Sequence, residues 1–448
     1  MPDRCVRTRW GGLADGQFRS NGFFHVTQSG GVFWLVDPDG GRFLSKGVNT
    51  VRFDQDEIRG TKRLPYAEAC TRKYGSAAAW RSAVAQRLIG WGFNTLGCWS
   101  DEAVAADHHL AVTPNLELGM SFAWQANERA GSGPRQEFPD VFDPGFESHV
   151  TRRARDMCSP HIGNTNILGR FIDNELRWCT DWRGPDELLL LFLRLSPRTP
   201  GRVAAIAFLR ERYADFTAFN MVWRTQATTW DTFETIDRIE LVYRRQPSDE
   251  AIANVADSDR ASFFADCDDF LALVAERYFG LTTAAIKAAD PHHLVLGSRF
   301  ASPPPAAVIE AAARHIDVIS INCYGLDADD VLAAYAPAGK PCLIGEFSFR
   351  GADSGLPNTS GGGPIVATQS DRAAAFDRYV TNALRHPCLV GYHWFEHADQ
   401  PAEGRFDGEN CNYGTVTIDD NVYETLTRTM TTLNAQAETI HAIAETVA

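Results

Sequence analysis

The sequence predicts an α/β protein built as a (β/α)8 TIM barrel, with an N-terminal β-hairpin and a large helical insertion after strand 4. Eight short apolar runs alternate with segments of helical periodicity, and this alternation is typical of a parallel sheet. A count of eight favours closure into a barrel. Glutamates close the fourth and the seventh runs, and the carboxyl ends of the strands form the active face of such a barrel.

The chain of 448 residues divides into an N-terminal extension and a barrel. Residues 22–37 alternate and turn like a hairpin, so residues 1–42 are predicted to form a β-hairpin that packs on the barrel. Residues 43–448 are predicted to form the barrel itself. Its strands are predicted within residues 43–49, 92–99, 110–117, 167–175, 293–299, 316–324, 342–346 and 389–394.

Amphipathic stretches between the runs predict the helices. Trp80, Val84 and Leu88 share one helical face before the second run. The insertion, about residues 177–262, contains an apolar stretch at 187–193 that predicts a buried helix. Residues 351–364 are rich in Gly, Ser and Pro and directly follow the second glutamate, so they form either a mobile lid or a plain surface loop.

Composition restricts the partners and the compartment. A net charge of −14 argues against nucleic-acid or anionic-membrane partners, because both need basic patches. The N-terminus shows no apolar core of signal-peptide length, and no run is long enough to span a bilayer. The ten cysteines are scattered, most of them in apolar segments, which is typical of free thiols in a reducing cytosol. We therefore expect a cytoplasmic protein, while its oligomeric state is not readable from the sequence.

The glutamates of interest are Glu175, which closes the fourth run, and Glu346, which closes the seventh. Two carboxyl groups facing each other across a pocket are what hydrolysis of a glycosidic bond requires. One must stay protonated near neutral pH, while its neighbour stays ionised. Burial raises a carboxyl pKa and hydrogen-bond donors lower it, so different surroundings separate the two. The pair therefore predicts a catalytic site.

Further residues at the strand ends are predicted to bind the substrate. Asn174 is suited to hydrogen-bond a sugar 2-hydroxyl, and Tyr324 to donate to Glu346. Trp394 would form an apolar floor for a sugar ring, with simple core packing as the alternative for it and for Tyr324. Glu396 is either a third carboxylate that binds sugar hydroxyls or an amine, or a solvated loop acid. The remaining candidates are Asn49, Trp99, Asn322 and His393.

Two rival interpretations remain open. His393, Glu396 and His397 fit the H-x-x-E-H pattern of a zinc protease, which needs a helix. The run around them is aromatic and β-rich, which favours a strand on which Glu396 points away from both histidines. The second rival is a carbohydrate-binding protein on an inactive hydrolase scaffold, and the presence of both carboxylates argues against it. No metal ion or other cofactor is expected.

The motifs resemble those of clan A, a superfamily of retaining glycoside hydrolases with (β/α)8 barrels. Its mark is an Asn-Glu pair closing strand 4 and a Glu closing strand 7, which Asn174, Glu175 and Glu346 match. A closer resemblance is to the β-agarases of glycoside hydrolase family 50, with the family 42 β-galactosidases more distant. It is carried by residues 22–24, 34–40, 47–49, 171–176, 391–395, 399–401 and 404–410. By this resemblance Glu175 is the acid/base and Glu346 the nucleophile.

The resemblance implies a retaining β-glycoside hydrolase that acts without a cofactor on β-linked, galactose-type (agarase-like) oligosaccharides. The long loops favour exo action on short chains. Specificity for glucosides or amino sugars is the alternative. A retaining mechanism predicts that the two carboxyl groups lie about 5–5.5 Å apart.

Overall fold

The computed structural model describes residues 6–130, 136–236, 239–240, 243 and 257–446, in which strands alternate with helices in an α/β architecture. The strands are β1 (His25–Ser29), β2 (Val32–Val36), β3 (Arg42–Phe43), β4 (Ser45–Val48), β5 (Thr95–Leu96), β6 (Ala111–Val112), β7 (Gly169–Arg170), β8 (Leu294–Val295), β9 (Ile319–Asn322), β10 (Cys342–Phe347), β11 (Arg350–Gly351), β12 (Ile365–Val366) and β13 (Leu389–Trp394). The α-helices are α1 (Pro65–Tyr74), α2 (Ala77–Gly90), α3 (Leu118–Ala130), α4 (Pro144–Cys158), α5 (Leu188–Leu193), α6 (Pro200–Arg212), α7 (Phe216–Trp223), α8 (Trp230–Thr235), α9 (Asp257–Ala289), α10 (Ala306–His315), α11 (Asp329–Tyr335), α12 (Gln369–Ala383) and α13 (Glu424–Ala442).

A central parallel sheet runs in the order β6-β5-β4-β13-β10-β9, and β7 pairs in parallel with β8. Each of the eight predicted apolar runs contains one of these strands. Isolated parallel bridges continue the pairing from β6 to the β7 segment and from the β8 segment to β9; they are Val112↔Ile167, Asn115↔Phe171 and Phe300↔Ile321. The carboxyl ends of all these strands therefore lie on one side.

The N-terminal segment forms the predicted hairpin. β1 and β2 pair in antiparallel fashion, and β3 adds a third antiparallel strand. Trp10, Phe24 and Leu35 of this segment lie in one buried cluster with Leu168 and Leu343 from the parallel strands. The hairpin therefore shares a core with the parallel strands. Removing it from that cluster would expose large apolar side chains to water, which costs about 25 cal/mol of folding free energy for each Å² of apolar surface.

Five helices, namely α2, α4, α7, α8 and α12, begin at residues whose side chains accept from free N–H groups of the first turn. Asp143 accepts from the Gly145 N–H at the start of α4, and Thr368 forms a capping box with Asp371 at the start of α12. Trp80, Val84 and Leu88 of α2 are all fully buried, which confirms the predicted helical face.

The predicted insertion after strand 4 contains α5 to α8, and α5 coincides with the buried helix expected within 187–193. Residues 237–238, 241–242 and 244–256 of the predicted insertion lie outside the described residues, as do residues 1–5 of the predicted extension and residues 447–448 at the end of the predicted barrel.

The last helix is tied to the first strand of the parallel sheet by a buried ion pair. Lys46 Nζ of β4 lies 2.6 Å from Glu438 Oε1 of α13, and Arg7 Nη2 lies 2.9 Å from the other carboxylate oxygen. Removing one partner of such a pair leaves an unpaired buried charge, which costs about 3–5 kcal/mol of folding free energy. The pair therefore fixes the C-terminal helix against the sheet.

Within the described ranges, no helix combines the length and apolar character needed to cross a membrane. The nine cysteines in these ranges are free, and all but Cys179 are buried. The expectation of free thiols is therefore confirmed for this part of the chain.

Candidate active site

Glu346 lies on β10 directly opposite Asn322 of β9 and is 4% exposed. Its two oxygens accept from different donors: Arg299 Nη2 donates to Oε1, and Tyr324 Oη donates to Oε2 at 2.6 Å. Burial and the charge of Glu346 raise the pKa of Tyr324 well above its usual value, so the hydroxyl keeps its proton. A guanidinium and a hydroxyl donor stabilise a carboxylate anion.

Glu175 follows β7 and is half-buried. Among the described residues, its carboxylate accepts one hydrogen bond, from Asn322 Nδ2 to Oε1 at 2.9 Å. Burial and the negative charge of Glu346 raise the pKa of Glu175 to about 7, although the Asn322 amide opposes this rise. A carboxyl group with this pKa carries a proton for much of the time near neutral pH.

One network of hydrogen bonds connects the surroundings of the two glutamates. Arg299 donates through Nη2 to Glu346 and through Nε to Asn174 Oδ1 at 2.7 Å. Asn322 Nδ2 donates to the same Asn174 oxygen at 3.1 Å and also to Glu175. The structure therefore brings the predicted residues Asn174, Glu175, Asn322 and Glu346 into one cluster.

Arg299 is a central member of this cluster that sequence reasoning missed. It is fully buried, and its guanidinium lies 5.0 Å from the Trp99 ring centroid and 4.7 Å from that of Phe171. The aromatic rings hold the guanidinium plane while its N–H groups reach the carboxylate. Its position could have indicated a site residue, because Arg299 closes the fifth apolar run as the glutamates close the fourth and the seventh.

Five strand ends share a left-handed backbone conformation. One residue after each of the first five parallel strands has a φ between 50° and 60°. In chain order these residues are Thr50, Trp99, Glu117, Glu175 and Arg299. A positive φ is uncommon for a residue with a Cβ, and such outliers cluster at active sites. Glu117 is a second half-buried strand-end acid that sequence reasoning did not select; burial raises its pKa, and a hydrogen bond with Trp99 opposes the rise.

Trp99 forms one wall of a surface cavity of about 480 Å³, which also contacts Arg52, Phe53 and Asp101. The tryptophan is half-buried, and its other neighbours are Arg299 and the edge of Phe395. A cavity of this size is large enough for a small ligand. Trp99 is the residue that this cavity shares with the surroundings of Arg299.

Residues 351–364, predicted to form a lid or a plain loop, are held by side chains from outside the loop. Arg350 Nη1 donates to the Ser360 carbonyl at 3.0 Å, and Tyr413 Oη donates to the Gly362 carbonyl at 2.8 Å. A Cβ at Gly362 would lie 3.2 Å from Cγ of Tyr324, so glycine lets the backbone pack on this ring. These contacts favour a fixed wall behind Tyr324 over a mobile lid.

His393 and Trp394 do not reach the surface of the site. They are neighbours on β13, so they point to opposite faces of the sheet, and both are fully buried. His393 Nε2 lies 2.8 Å from Ser45 Oγ, whereas Trp394 packs against Phe376 of α12 with ring centroids 5.8 Å apart. The predicted apolar floor at Trp394 is corrected to core packing, and His393 is corrected to a buried polar contact.

Asn49 is likewise fully buried, and backbone groups occupy its amide. Its Nδ2 donates to the Gly345 carbonyl at 2.9 Å, and its Oδ1 accepts from the Cys98 N–H at 2.8 Å. The side chain therefore ties the ends of neighbouring strands together, immediately beside Glu346. Its predicted contact with substrate is corrected to a positioning role.

Glu396 has no exposed surface, so the structure does not present it to a ligand. It accepts from Gln400 Nε2 at 2.9 Å, and Arg405 Nη1 lies 3.8 Å away. Burial, with the nearby charge of Asp56, raises the pKa of Glu396 well above its usual value. Both predicted alternatives, a sugar-binding carboxylate and a solvated loop acid, are corrected to a buried acid.

The histidines of the H-x-x-E-H pattern lie in separate environments. His393 contacts Ser45, whereas His397 Nε2 lies 3.1 Å from Tyr66 Oη. The segment before them is the predicted strand rather than the helix that the zinc interpretation needs. In the part of the chain that the structure describes, no group of three or more His, Cys, Asp or Glu side chains is arranged to hold a metal ion.

The chain is similar in sequence to two β-agarases of Vibrio sp. strain JT0107. It is 28% identical to β-agarase B over 490 residues, covering 94% of this chain and 49% of that protein. It is 32% identical to β-agarase A over 456 residues, covering 89% of this chain and 44% of that protein. The chain thus spans about half the length of these relatives, to which it is homologous. No protein-family model matches the chain.

The fold is similar to that of a solved exo-β-agarase. The two structures match with a TM-score of 0.77 at 24% identity, over 97% of this chain and 68% of the other. This likeness shows a shared fold.

Proposed function

We propose that the protein is a retaining β-glycoside hydrolase that acts on agarose-type, β-linked oligosaccharides. The observation that carries the proposal is the pair Glu175 and Glu346, joined by one hydrogen-bond network but given opposite surroundings. One carboxyl group has a pKa raised to about 7, and the other is bound by a guanidinium and a hydroxyl. Homology to two β-agarases supports the substrate class.

Each glutamate performs one role in a double displacement. Glu346 attacks the anomeric carbon as the bond to the leaving oxygen breaks, while Glu175 gives that oxygen its proton. Glu175, now ionised, takes a proton from a water molecule whose oxygen attacks the same carbon and releases Glu346. The enzyme returns to its starting state, and the sugar keeps its anomeric configuration. No cofactor takes part in these steps.

The neighbours of the pair assist this sequence. The side-chain oxygen of Asn174, Oδ1, accepts from Arg299 and Asn322. The side-chain nitrogen, Nδ2, is therefore the group left to bind a sugar hydroxyl. Asn174, Tyr324 and Trp99 are the predicted substrate-binding residues that are only half-buried. A hydrogen bond to the sugar 2-hydroxyl that strengthens as charge develops lowers the barrier.

We infer that the eight parallel strands close into a (β/α)8 barrel of the clan A type. The inference is supported by the strand order, because each strand has two parallel neighbours when the isolated bridges are counted with the sheet pairings. Both glutamates then lie at the carboxyl end of the barrel, which is the active face of this architecture. We propose exo action because the loops at this end are long, and the solved exo-β-agarase of the same fold supports this mode.

The test is mass-resolved analysis of products released from β-linked neoagaro-, galacto-, gluco- and glucosamine-type oligosaccharides. Cleavage of the neoagaro series with one product size from the earliest time is expected. Cleavage confined to the gluco or glucosamine series would contradict the agarose-type substrate and indicate a glucoside or an amino sugar instead. Absence of cleavage by folded protein would overturn the hydrolase proposal.

Stereochemistry is tested separately by following the first-formed anomer with proton NMR. The β-anomer is expected before mutarotation, whereas the α-anomer would overturn the double displacement. Glu346→Gln, which preserves the shape of the side chain, serves as the inactive control in both experiments.

A further inference from the structure

Trp182 stands out among the aromatic side chains near the two glutamates because it is 68% exposed. It lies seven residues after Glu175, in the segment that leads from the strand-4 end into α5. Tryptophan is usually well covered in folded proteins, so an indole presented to solvent beside a catalytic pair raises the question of what binds it.

The turn that carries Trp182 is held in place by its own hydrogen bonds. Asp181 and Gly184 exchange backbone hydrogen bonds of 3.2 and 3.1 Å across the turn. The Asp181 carboxylate accepts from the Arg183 N–H at 2.8 Å, and Thr180 Oγ1 donates to the Pro185 carbonyl at 3.1 Å. Trp182 is therefore presented at the tip of a defined turn rather than on a free strand of chain.

Arg183 connects this tip to the acid/base glutamate. Its Nη1 donates to the Glu175 carbonyl at 2.8 Å, and its guanidinium carbon lies 4.6 Å from the Trp182 ring centroid. Asp181 Oδ2 accepts from Arg183 Nε at 2.9 Å and so holds the guanidinium from the side of the turn. One side chain thus fixes the distance between the indole and Glu175 by contacting both.

The chemistry assigned to Glu175 determines which sugar would meet this indole. An acid that protonates the leaving oxygen lies on the side of the departing sugar, not on the side of the sugar that becomes attached to the enzyme. A pyranose ring has a face of C–H groups that packs on an aromatic ring, and its hydroxyls find donors such as the guanidinium edge.

We propose that Trp182 and Arg183 form the binding platform for the neutral sugar in the leaving-group position. The proposal rests on the proposed function, since it takes Glu175 as the acid. It assigns the indole to packing against the sugar ring and Arg183 to holding the indole at a fixed distance from Glu175.

The experiment compares two substrates of wild type and Trp182→Ala. One is a neoagaro-oligosaccharide, which has a leaving sugar; the other is the β-fluoride of the sugar that wild type releases, whose leaving group is too small to reach the turn. We expect KM for the oligosaccharide to rise about 10-fold in the variant, with kcat/KM for the fluoride unchanged. Trp182→Phe, which keeps an aromatic face, is expected to recover most of the loss.

A matched control is Trp91→Ala. Trp91 also has an arginine guanidinium over its ring, that of Arg87 at 5.5 Å, but it precedes β5 and so lies at the amino end of the parallel strands. Its kinetics on the oligosaccharide should equal those of wild type. Calorimetric titration of the oligosaccharide into Glu346→Gln, with and without Trp182→Ala, gives a readout that does not depend on turnover, and about 10-fold weaker binding is expected.

The outcomes separate the two proposals. Equal oligosaccharide KM and equal affinity with and without the indole would overturn the platform while leaving the hydrolase intact. Equal losses on the oligosaccharide and the fluoride would overturn it too, since a leaving-sugar contact cannot affect the fluoride. Wild type that cleaves neither substrate would overturn the proposed function itself.

Discussion

Glu346 and Glu175 are the same residue type at the ends of two parallel strands, yet their surroundings differ in charge and exposure. Glu346 is 4% exposed and is bound on one oxygen by the Arg299 guanidinium and on the other by Tyr324. Glu175 is half-buried and receives a single neutral amide donor within the described part of the chain, from Asn322. A guanidinium donates directly to the first carboxylate, whereas burial and the charge of Glu346 raise the pKa of the second to about 7 against the opposing charges of Arg299 and Arg183.

The difference shows how one network gives two glutamates different electrostatic surroundings. Arg299 contacts Glu346 directly but reaches the Glu175 side only through the neutral oxygen of Asn174. Its direct hydrogen bond goes to one carboxylate, and the negative charge of that carboxylate adds to burial in raising the pKa of the other. Substitutions at Glu346, Glu175 and Arg299 each remove one of these distinctions.

The largest effect is expected from Glu346→Gln, which removes the proposed nucleophile. We expect kcat/KM to fall on the order of 10⁴-fold or more on every substrate, the β-glycosyl fluoride included, because no leaving group replaces a missing nucleophile. Steady-state kinetics measure the loss, and circular dichroism checks that the variant is folded. A variant with a tenth of wild-type activity would contradict the assignment.

Glu175→Gln should produce a loss that depends on the leaving group. For an oligosaccharide we expect kcat/KM to fall about 10² to 10⁴-fold, which is the usual contribution of a positioned acid. For the glycosyl fluoride, whose leaving group needs no proton, the first step should be nearly unaffected in a burst measurement. Equal losses on the two substrates would remove the distinction between the glutamates.

Arg299→Lys tests whether the bridge, rather than charge alone, separates the roles. A lysine keeps the charge but has no planar fork to bind Asn174 and Glu346 together, so we expect kcat to fall about 10²-fold. The matched control is Arg314→Lys, because Arg314 also pairs with a glutamate, Glu276, but at an exposed position. Unchanged kinetics in Arg299→Lys would show that the bridge is dispensable.

The smallest effect is the pH dependence of the wild type. Because the pKa of Glu175 is raised to about 7, its proton is present below that pH and lost above it, so kcat/KM should fall as the pH rises through about 7. In Glu346→Gln the neighbouring negative charge is gone, so the pKa of Glu175 should be lower. Carbon NMR of the Glu175 carboxyl measures both, and an unchanged pKa in the variant would contradict the proposed coupling.

Much of the strand framework was predictable because it depends on local pattern. All eight apolar runs contain a strand, and the strand-end residues Asn174, Glu175, Asn322, Tyr324 and Glu346 meet in one cluster. Parallel strands bring their carboxyl ends together wherever the chain goes between them, so position in a run was enough to predict that meeting.

The roles of the other residues near the site depend on how deeply each side chain is buried and where it points, and the sequence alone shows neither. Arg299 closes a run as the glutamates do, but a buried arginine is revealed only by the two rings and the carboxylate that surround it. His393 and Trp394 are a different case, since the alternation of side chains along a strand already excluded both from facing the same site. The structure shows that both are fully buried.

The five left-handed strand ends have a consequence for thermal tolerance. A residue with a Cβ in this conformation is destabilised by on the order of 1 kcal/mol relative to glycine, so the rim that holds Glu175 and Arg299 lowers the free energy of unfolding. Replacing Glu175 or Arg299 by glycine would relieve strain and abolish the chemistry together. Heat-stable variants are therefore best sought at Thr50, which takes no part in the hydrogen bonds around the two glutamates.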